Sequence, residues 1–174
     1  ELKRNLVPAR TKDAGQVVGL YDTVSGEFFA PRGGALMLDH DDSIALASFC
    51  DYDANSGSFT NAVRYCTVVT SETRTFEDGQ WYVVADDVEI SNGENITVSG
   101  SAHLILCDRA SLTVANVAMN KAAIGVSARN SLTIYGQENG SGLLTATGGL
   151  NGAGIGGGDR GAGGTVTING GTVT

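Results

Sequence analysis

Eight times between Val88 and Ile168 the chain sets two apolar residues on either side of one intervening residue. The pairs are Val88/Ile90, Ile96/Val98, Leu104/Leu106, Leu112/Val114, Ile124/Val126, Leu132/Ile134, Leu144/Ala146 and Val166/Ile168. Alternate side chains of an extended backbone share a face, so each pair predicts a short strand with one apolar side. Turn formers separate the pairs, among them Ser91-Asn-Gly93, Ser99-Gly-Ser101, Ala128-Arg-Asn130 and Asn139-Gly-Ser-Gly142. No helical 3.6-residue pattern competes with this alternation. The first four pairs start eight residues apart, and then a longer register emerges, in which Leu104, Ile124 and Leu144 are spaced by 20. The same stride links Leu106, Val126 and Ala146.

Short strands and corners at a fixed period predict a stack, because one turn of chain cannot bury its own apolar face and must lay it against its neighbours. The expected fold class is therefore all-β: a right-handed parallel β-helix (β-solenoid) in the C-terminal half, with a small antiparallel β segment in the N-terminal part. Three zones follow from composition. Residues 1–40 hold both prolines, a strand over Val17–Tyr21, a turn over Asp22–Gly26 and a returning strand over Glu27–Ala30. Residues 41–79 hold strands over Ser43–Phe49 and Ala62–Val69 around a turn-rich loop Asp51–Gly57, then a polar linker Ser71–Gly79. Residues 80–174 hold the solenoid, expected to be truncated at its C-terminal end. The chain opens at Glu1 and stops inside the repeat pattern, so the expectation is a piece of a longer protein.

Charge narrows the function classes. Acidic residues outnumber basic ones, the net charge is −8, and no basic patch stands out. That argues against a nucleic-acid partner and against anionic membrane surfaces. No apolar run is long enough to insert in a membrane. Three cysteines cannot all pair internally. Cys50 and Cys66 flank a predicted hairpin and are candidates for one bridge, with Cys107 left over.

The segment Gly152-Ala-Gly-Ile-Gly-Gly157 matches the glycine pattern of a nucleotide-binding loop in form only. Such a loop opens a helix whose N-terminus holds phosphate. Here Gly156 to Gly164 follows, a poor helix former, and then the strand pair Val166/Ile168. Solenoid corners are the better expectation, because close backbone approach favours glycine.

Several stretches, Trp81–Ile90, Leu104–Val114, Ser131–Gly136 and Gly152–Gly158, resemble the glycine-rich β-helical repeats of large surface proteins of gut Firmicutes, described as adhesin-like or carbohydrate-binding. Leu6–Arg10 and Val18–Phe29 resemble the closing strands of a concanavalin-like (laminin-G type) lectin domain, which would lie mostly upstream of Glu1. Together these resemblances imply a multidomain extracellular protein of a bacterial cell surface or secreted, with a polysaccharide or host-surface glycan as partner. Residues 41–79 resemble nothing familiar.

The candidate sites are few. Asp51, Asp53 and Asn55 form D-x-D-x-N, the start of a calcium loop, but the glycine falls at the seventh position and Ala62 stands at the twelfth. Oxygen ligands at alternate positions suit a loosely held Ca²⁺; a solvated turn is the plainer expectation. No other cofactor is expected. Asp39, His40, Asp41 and Asp42 cluster without further partners in sequence. Trp81 and Tyr82 open the solenoid as candidate sugar-stacking rings, with Tyr135 a similar case; capping the core is the alternative for all three. Cys107 alternates with Leu106 and is expected to face outward in its strand, most simply as a semi-buried thiol between coils. Asp86 and Asp87, expected on a strand, would point to opposite faces, wrong for a catalytic carboxylate pair, with Asp108 stacked near one of them. Thr145, Thr147, Thr165 and Thr167 repeat at the 20-residue stride as an outward ladder. The expected function is a non-enzymatic extracellular surface module, adhesin-like, with a carbohydrate-binding or stalk role. The alternatives are a polysaccharide lyase or hydrolase on a β-helix and a phage tail fibre or spike fragment.

Overall fold

The computed structural model describes residues 6–10, 18–22, 28–29, 44–53, 57–115 and 117–174. The expected acidic cluster around His40 lies outside them. The described chain is all-β, with no helix and with parallel pairing dominant after residue 67. It begins with an antiparallel sheet of β1 (Leu6–Arg10), β2 (Val18–Asp22) and β3 (Phe28–Phe29), in which Leu6 faces Asp22 and Tyr21 faces Phe28. Pro8 sits on β1, an edge strand of this sheet, where a missing N–H costs least.

A long hairpin follows, β4 (Ile44–Asp53) and β5 (Ser58–Val68). Its strands run further than expected, so Asp51 and Asp53 lie on β4 opposite Thr60 and Ser58 rather than in the loop. The last rungs of β5 pair in parallel with the strand that opens at Trp81, Thr67 facing Tyr82 and Val68 facing Val83.

From there the chain runs through three parallel sheets in a fixed rotation. The first circuit is β6 (Thr75–Phe76), β7 (Trp81–Val84) and β8 (Val88–Ile90). The second is β9 (Ile96–Val98), β10 (Ser101–Leu106) and β11 (Ser111–Val114). The third is β12 (Ile124–Val126), β13 (Ser131–Gly136) and β14 (Leu143–Ala146). The fourth is β15 (Ile155–Gly156), β16 (Thr165–Ile168) and β17 (Thr172–Val173). The sheets are β6-β9-β12-β15, then β5-β7-β10-β13-β16 with β4 at its edge, then β8-β11-β14-β17. All eight apolar pairs of the sequence fall on these strands. Most of their side chains form one column: Ile96, Leu104, Leu112, Ile124, Leu132, Ile134 and Leu144 are all fully buried, whereas Ile168 at the end of the stack is exposed.

Two expectations are overturned here. The segment read as a polar linker contains β6, whose Phe76 is fully buried against the ring of Tyr82. The 20-residue register is not the one adopted. Leu104 faces Ile134, Ile124 faces Ile96 and Ile155, and Leu144 faces Leu112. Ser101 and Ser131, thirty positions apart, hydrogen-bond side by side on neighbouring strands. A stride of 20 covers two strands of a three-strand circuit, so it steps from one sheet to another instead of one circuit to the next. The four threonines therefore do not stack as expected: Thr145 faces Thr113, and Thr167 faces Thr133.

The true repeat mark is at one corner. Asn92, Asn120 and Asn151 each stand four residues before Ile96, Ile124 and Ile155, the aligned residues of one sheet, and each has left-handed φ (64°, 67° and 66°). Asparagine tolerates that conformation better than most residues. Asn151 Nδ2 donates to Asn120 Oδ1 at 3.2 Å, one circuit to the next. The glycine stretch packs on the same side. A Cβ on Gly152 would collide with the Lys121 carbonyl oxygen, and one on Gly149 with that of Ala118. The stretch is backbone laid on backbone, with strand β15 inside it, and no helix follows.

Candidate functional site

In the sheet containing β7, β10 and β13, residues alternate between the inner column and the outer face. Ala102, Leu104 and Leu106 point inward and are buried. The outer positions on the three strands are Trp81 and Val83, His103 and Ile105, and Thr133 and Tyr135. Outer positions of a surface sheet are normally solvated, yet Val83, Ile105, Cys107 and Tyr135 are buried here. The β4–β5 hairpin covers them, bringing Ala47, Phe49 and Cys66 down as a second apolar layer.

Aromatic rings fill the centre of this layer. The His103 imidazole stacks on the Trp81 indole, centroids 4.2 Å apart and planes 9° off parallel. Phe49 packs on Trp81 at 4.9 Å and edge-on to Tyr135 at 4.7 Å. His103 Nδ1 and Tyr135 Oη share a hydrogen bond of 3.3 Å. The Arg64 guanidinium lies 5.5 Å over the Trp81 ring, a cation–π contact. Burial first, and then the nearby Arg64 charge, hold His103 below its ordinary value, against an opposite pull from Asp51. Burial and Asp51 push Tyr135 up, with Arg64 opposing.

Trp81 and Tyr82 part company. Trp81 is half-buried, its ring held between His103, Phe49 and Arg64. Tyr82 points into the inner column at 5% exposure, and its Oη accepts a 2.8 Å hydrogen bond from the Glu77 N–H. Its expected role as a sugar platform gives way to a core role, because β7 alternates and Tyr82 takes the inward position. Tyr135 is likewise buried in the outer layer. Of the expected calcium ligands, Asp51 lies on β4 near the aromatic cluster, while Asn55 and the Asp53 side chain lie outside the described residues. Among the described residues no three imidazole, thiol or carboxylate groups converge as a metal site.

A Cys50–Cys66 bridge, left open by the sequence, is ruled out by register. Cys50 faces Asn61 and Cys66 faces Ala45, so the two lie five rungs apart along the hairpin. That is about 16 Å at the strand rise, far beyond the ~7 Å Cα limit of a disulfide. None of the three cysteines is in a disulfide. Cys107 takes an outward position, as expected, but is only 3% exposed because the hairpin covers it.

The acids do not gather either. Asp86 and Asp87 lie between β7 and β8 rather than on a strand, and Asp87 Oδ1 accepts from Ser111 Oγ at 2.7 Å. Asp108, one circuit later, likewise reaches the circuit that follows it. It accepts from the backbone N–H groups of Asn139 and Ser141 and from both their side chains, at 3.0 to 3.3 Å. Partial burial raises its carboxyl, but these four bonds outweigh that and hold it below the usual value. Gln137 completes the bracing: its Oε1 accepts from the Asp108 N–H at 2.9 Å, and its Nε2 donates to the Ser48 carbonyl at 3.0 Å. The hairpin is thereby tied to two successive circuits.

No protein-family model matches this chain, and no curated protein or solved structure matches it. No helix among the described residues is long and apolar enough to cross a membrane.

Proposed function

We propose that the C-terminal part of this chain is a right-handed parallel β-solenoid. It serves as a non-enzymatic module of an adhesin-like extracellular protein, spacing and displaying a carbohydrate-binding surface. The observation that carries the reading is the rotation of twelve short strands through three parallel sheets around one apolar column. Each circuit adds one strand per sheet, about 4.8 Å, so four circuits stack to roughly 20 Å of rigid rod. Rods of this kind suit spacing, since each circuit leans only on its neighbours and the stack lengthens without a new core. The low charge and the aromatic, amide-rich surroundings of the hairpin suit an uncharged, hydroxylated partner better than a nucleic acid or a membrane.

A glycan array probed with the protein, with and without EGTA, tests the reading. Binding to defined polysaccharides supports it, and loss with EGTA adds calcium. An array with no signal, or turnover of a polysaccharide substrate, overturns the carbohydrate-binding or the non-enzymatic half respectively.

A further inference from the structure

A cleft of about 490 Å³ opens where the hairpin meets the corner after β13. Its volume falls in the range of small-molecule clefts, ~300–1,000 Å³. Cys50 and Asn61, facing each other across the hairpin, form one wall. Gln137 and Glu138 form another, and Asn169 of the last circuit a third. The floor is glycine backbone. A Cβ on Gly136 would collide with the Gly171 N–H, and one on Gly170 with the Gly136 N–H, so the two corners meet main chain to main chain and leave a surface without side chains.

The lining selects its ligand by what it contains. Among the described residues that line the cleft, Glu138 is the only charged side chain, so an anion meets repulsion and a cation finds a single carboxylate. Among the described residues that line the cleft, none is a leucine, isoleucine, valine or aromatic ring. Amide side chains carry both a donor and an acceptor, which is the complement of a hydroxyl group, and a carboxylate accepts from hydroxyls as well. The walls are also fixed beforehand. Gln137 Nε2 donates to the Ser48 carbonyl at 3.0 Å and to Ser48 Oγ at 3.2 Å, while its Oε1 accepts from Asp108. Phe49, next to Cys50, is locked between Trp81 and Tyr135. A cleft held open in this way loses little freedom on binding.

We infer that this cleft is a binding site for a neutral mono- or disaccharide, with Asn61, Glu138 and Asn169 as hydroxyl partners. The inference rests on the carbohydrate reading above and places it at one site. Cys50 is the natural reporter, because it lines the cleft while Cys66 and Cys107 are buried at 2% and 3% exposure.

The experiment follows alkylation of Cys50 by N-ethylmaleimide, read by mass spectrometry of the whole chain, with lactose, maltose, cellobiose or N-acetylglucosamine added. A glycan array runs in parallel for the native chain and for Asn169→Leu and Asn61→Leu, with thermal unfolding to verify the fold. The site predicts that at least one neutral sugar slows Cys50 alkylation, by about tenfold once its concentration is ten times Kd. It also predicts that folded Asn169→Leu loses both that protection and the array signal. Array binding that persists in Asn169→Leu with Cys50 unprotected overturns the cleft and leaves the carbohydrate reading standing. Protection by glucuronate or sulfated sugars alone overturns the neutral class. No array signal and no protection overturns both.

Discussion

His103 lies flat on Trp81, ring centroids 4.2 Å apart, although β7 and β10 place both residues on the outer face of a sheet where solvent is the usual neighbour. The stack persists because the hairpin closes over it. Several measurable properties follow from that cover.

Acid should loosen the cover. Burial, and next the Arg64 charge, hold His103 below its ordinary 6.5. Just below pH 6.5 the unfolded chain therefore binds a proton that the folded chain refuses, and stability rises with pH through that window. The contribution is whole above about pH 6.5 and is lost as pH falls through the lowered folded value. Thermal unfolding between about pH 8 and pH 5 should show a drop in Tm that is smaller in His103→Gln. Parallel profiles for the two proteins would remove His103 from the account.

Phe49→Ala should cost ~3–5 kcal/mol, the usual range for a buried phenylalanine removed without collapse of its site. Phe49 is 2% exposed and touches both Trp81 and Tyr135. The chain has one tryptophan, so its emission reports the cover directly. A red shift with a lower denaturant midpoint is expected; unchanged emission would mean that the hairpin does not shield Trp81.

Thiol chemistry should single out Cys50. Burial pushes the Cys66 thiol up to about 12, with the nearby Cys107 adding to the rise and Arg64 opposing it. Thiolate is the reactive form, so Cys66 should stay inert at neutral pH in the native chain. Peptide mapping after brief alkylation should find label on Cys50 alone, and on all three cysteines in denaturant. Oxidation of the native chain should yield no Cys50–Cys66 peptide.

Asp108→Ala should weaken the junction between the second and third circuits. The change removes the acceptor of four hydrogen bonds, and the exposed setting limits the loss to on the order of 1–2 kcal/mol. The Asp108 carboxyl is held below its ordinary 3.8, so its contribution is present above that pH and is lost as pH falls through the lower folded value. Urea midpoints for both proteins should converge in strong acid; a constant gap would assign the effect to packing.

Gly152→Ala should destabilise the fourth circuit, because the added methyl meets the Lys121 carbonyl, which is backbone and moves only with the corner before β12. Overpacking of this kind costs about 1–3 kcal/mol. Hydrogen exchange should quicken in β15 and leave β10 unchanged; equal protection in both strands would mean that the circuits yield without strain.

The strands themselves were legible because alternation is local. A pair such as Leu132/Ile134 declares its face within three residues, and the structure buries both. Register was not legible, because it depends on how much chain each corner uses. Asp87 meets Ser111 after 24 positions, whereas Ser101 meets Ser131 after 30. No constant stride survives such variation, and the spacing of 20 between Leu104 and Ile124 joined different sheets. The asparagines at 92, 120 and 151 were the better marker, since the left-handed corner recurs whatever the corner length.

The amino-acid sequence alone determined that this chain forms short strands with single apolar faces, that no helix competes, and that its glycine stretch is a corner rather than a phosphate loop. Those properties reside in neighbouring residues. Tertiary structure alone decided the sequestering of Tyr135, Ile105 and Cys107, the separation of Cys50 from Cys66, and the cleft between Asn61 and Asn169. Each depends on where the hairpin lies over the sheet. That placement is set by contacts between residues far apart in sequence, such as Gln137 with Ser48, which no local pattern encodes.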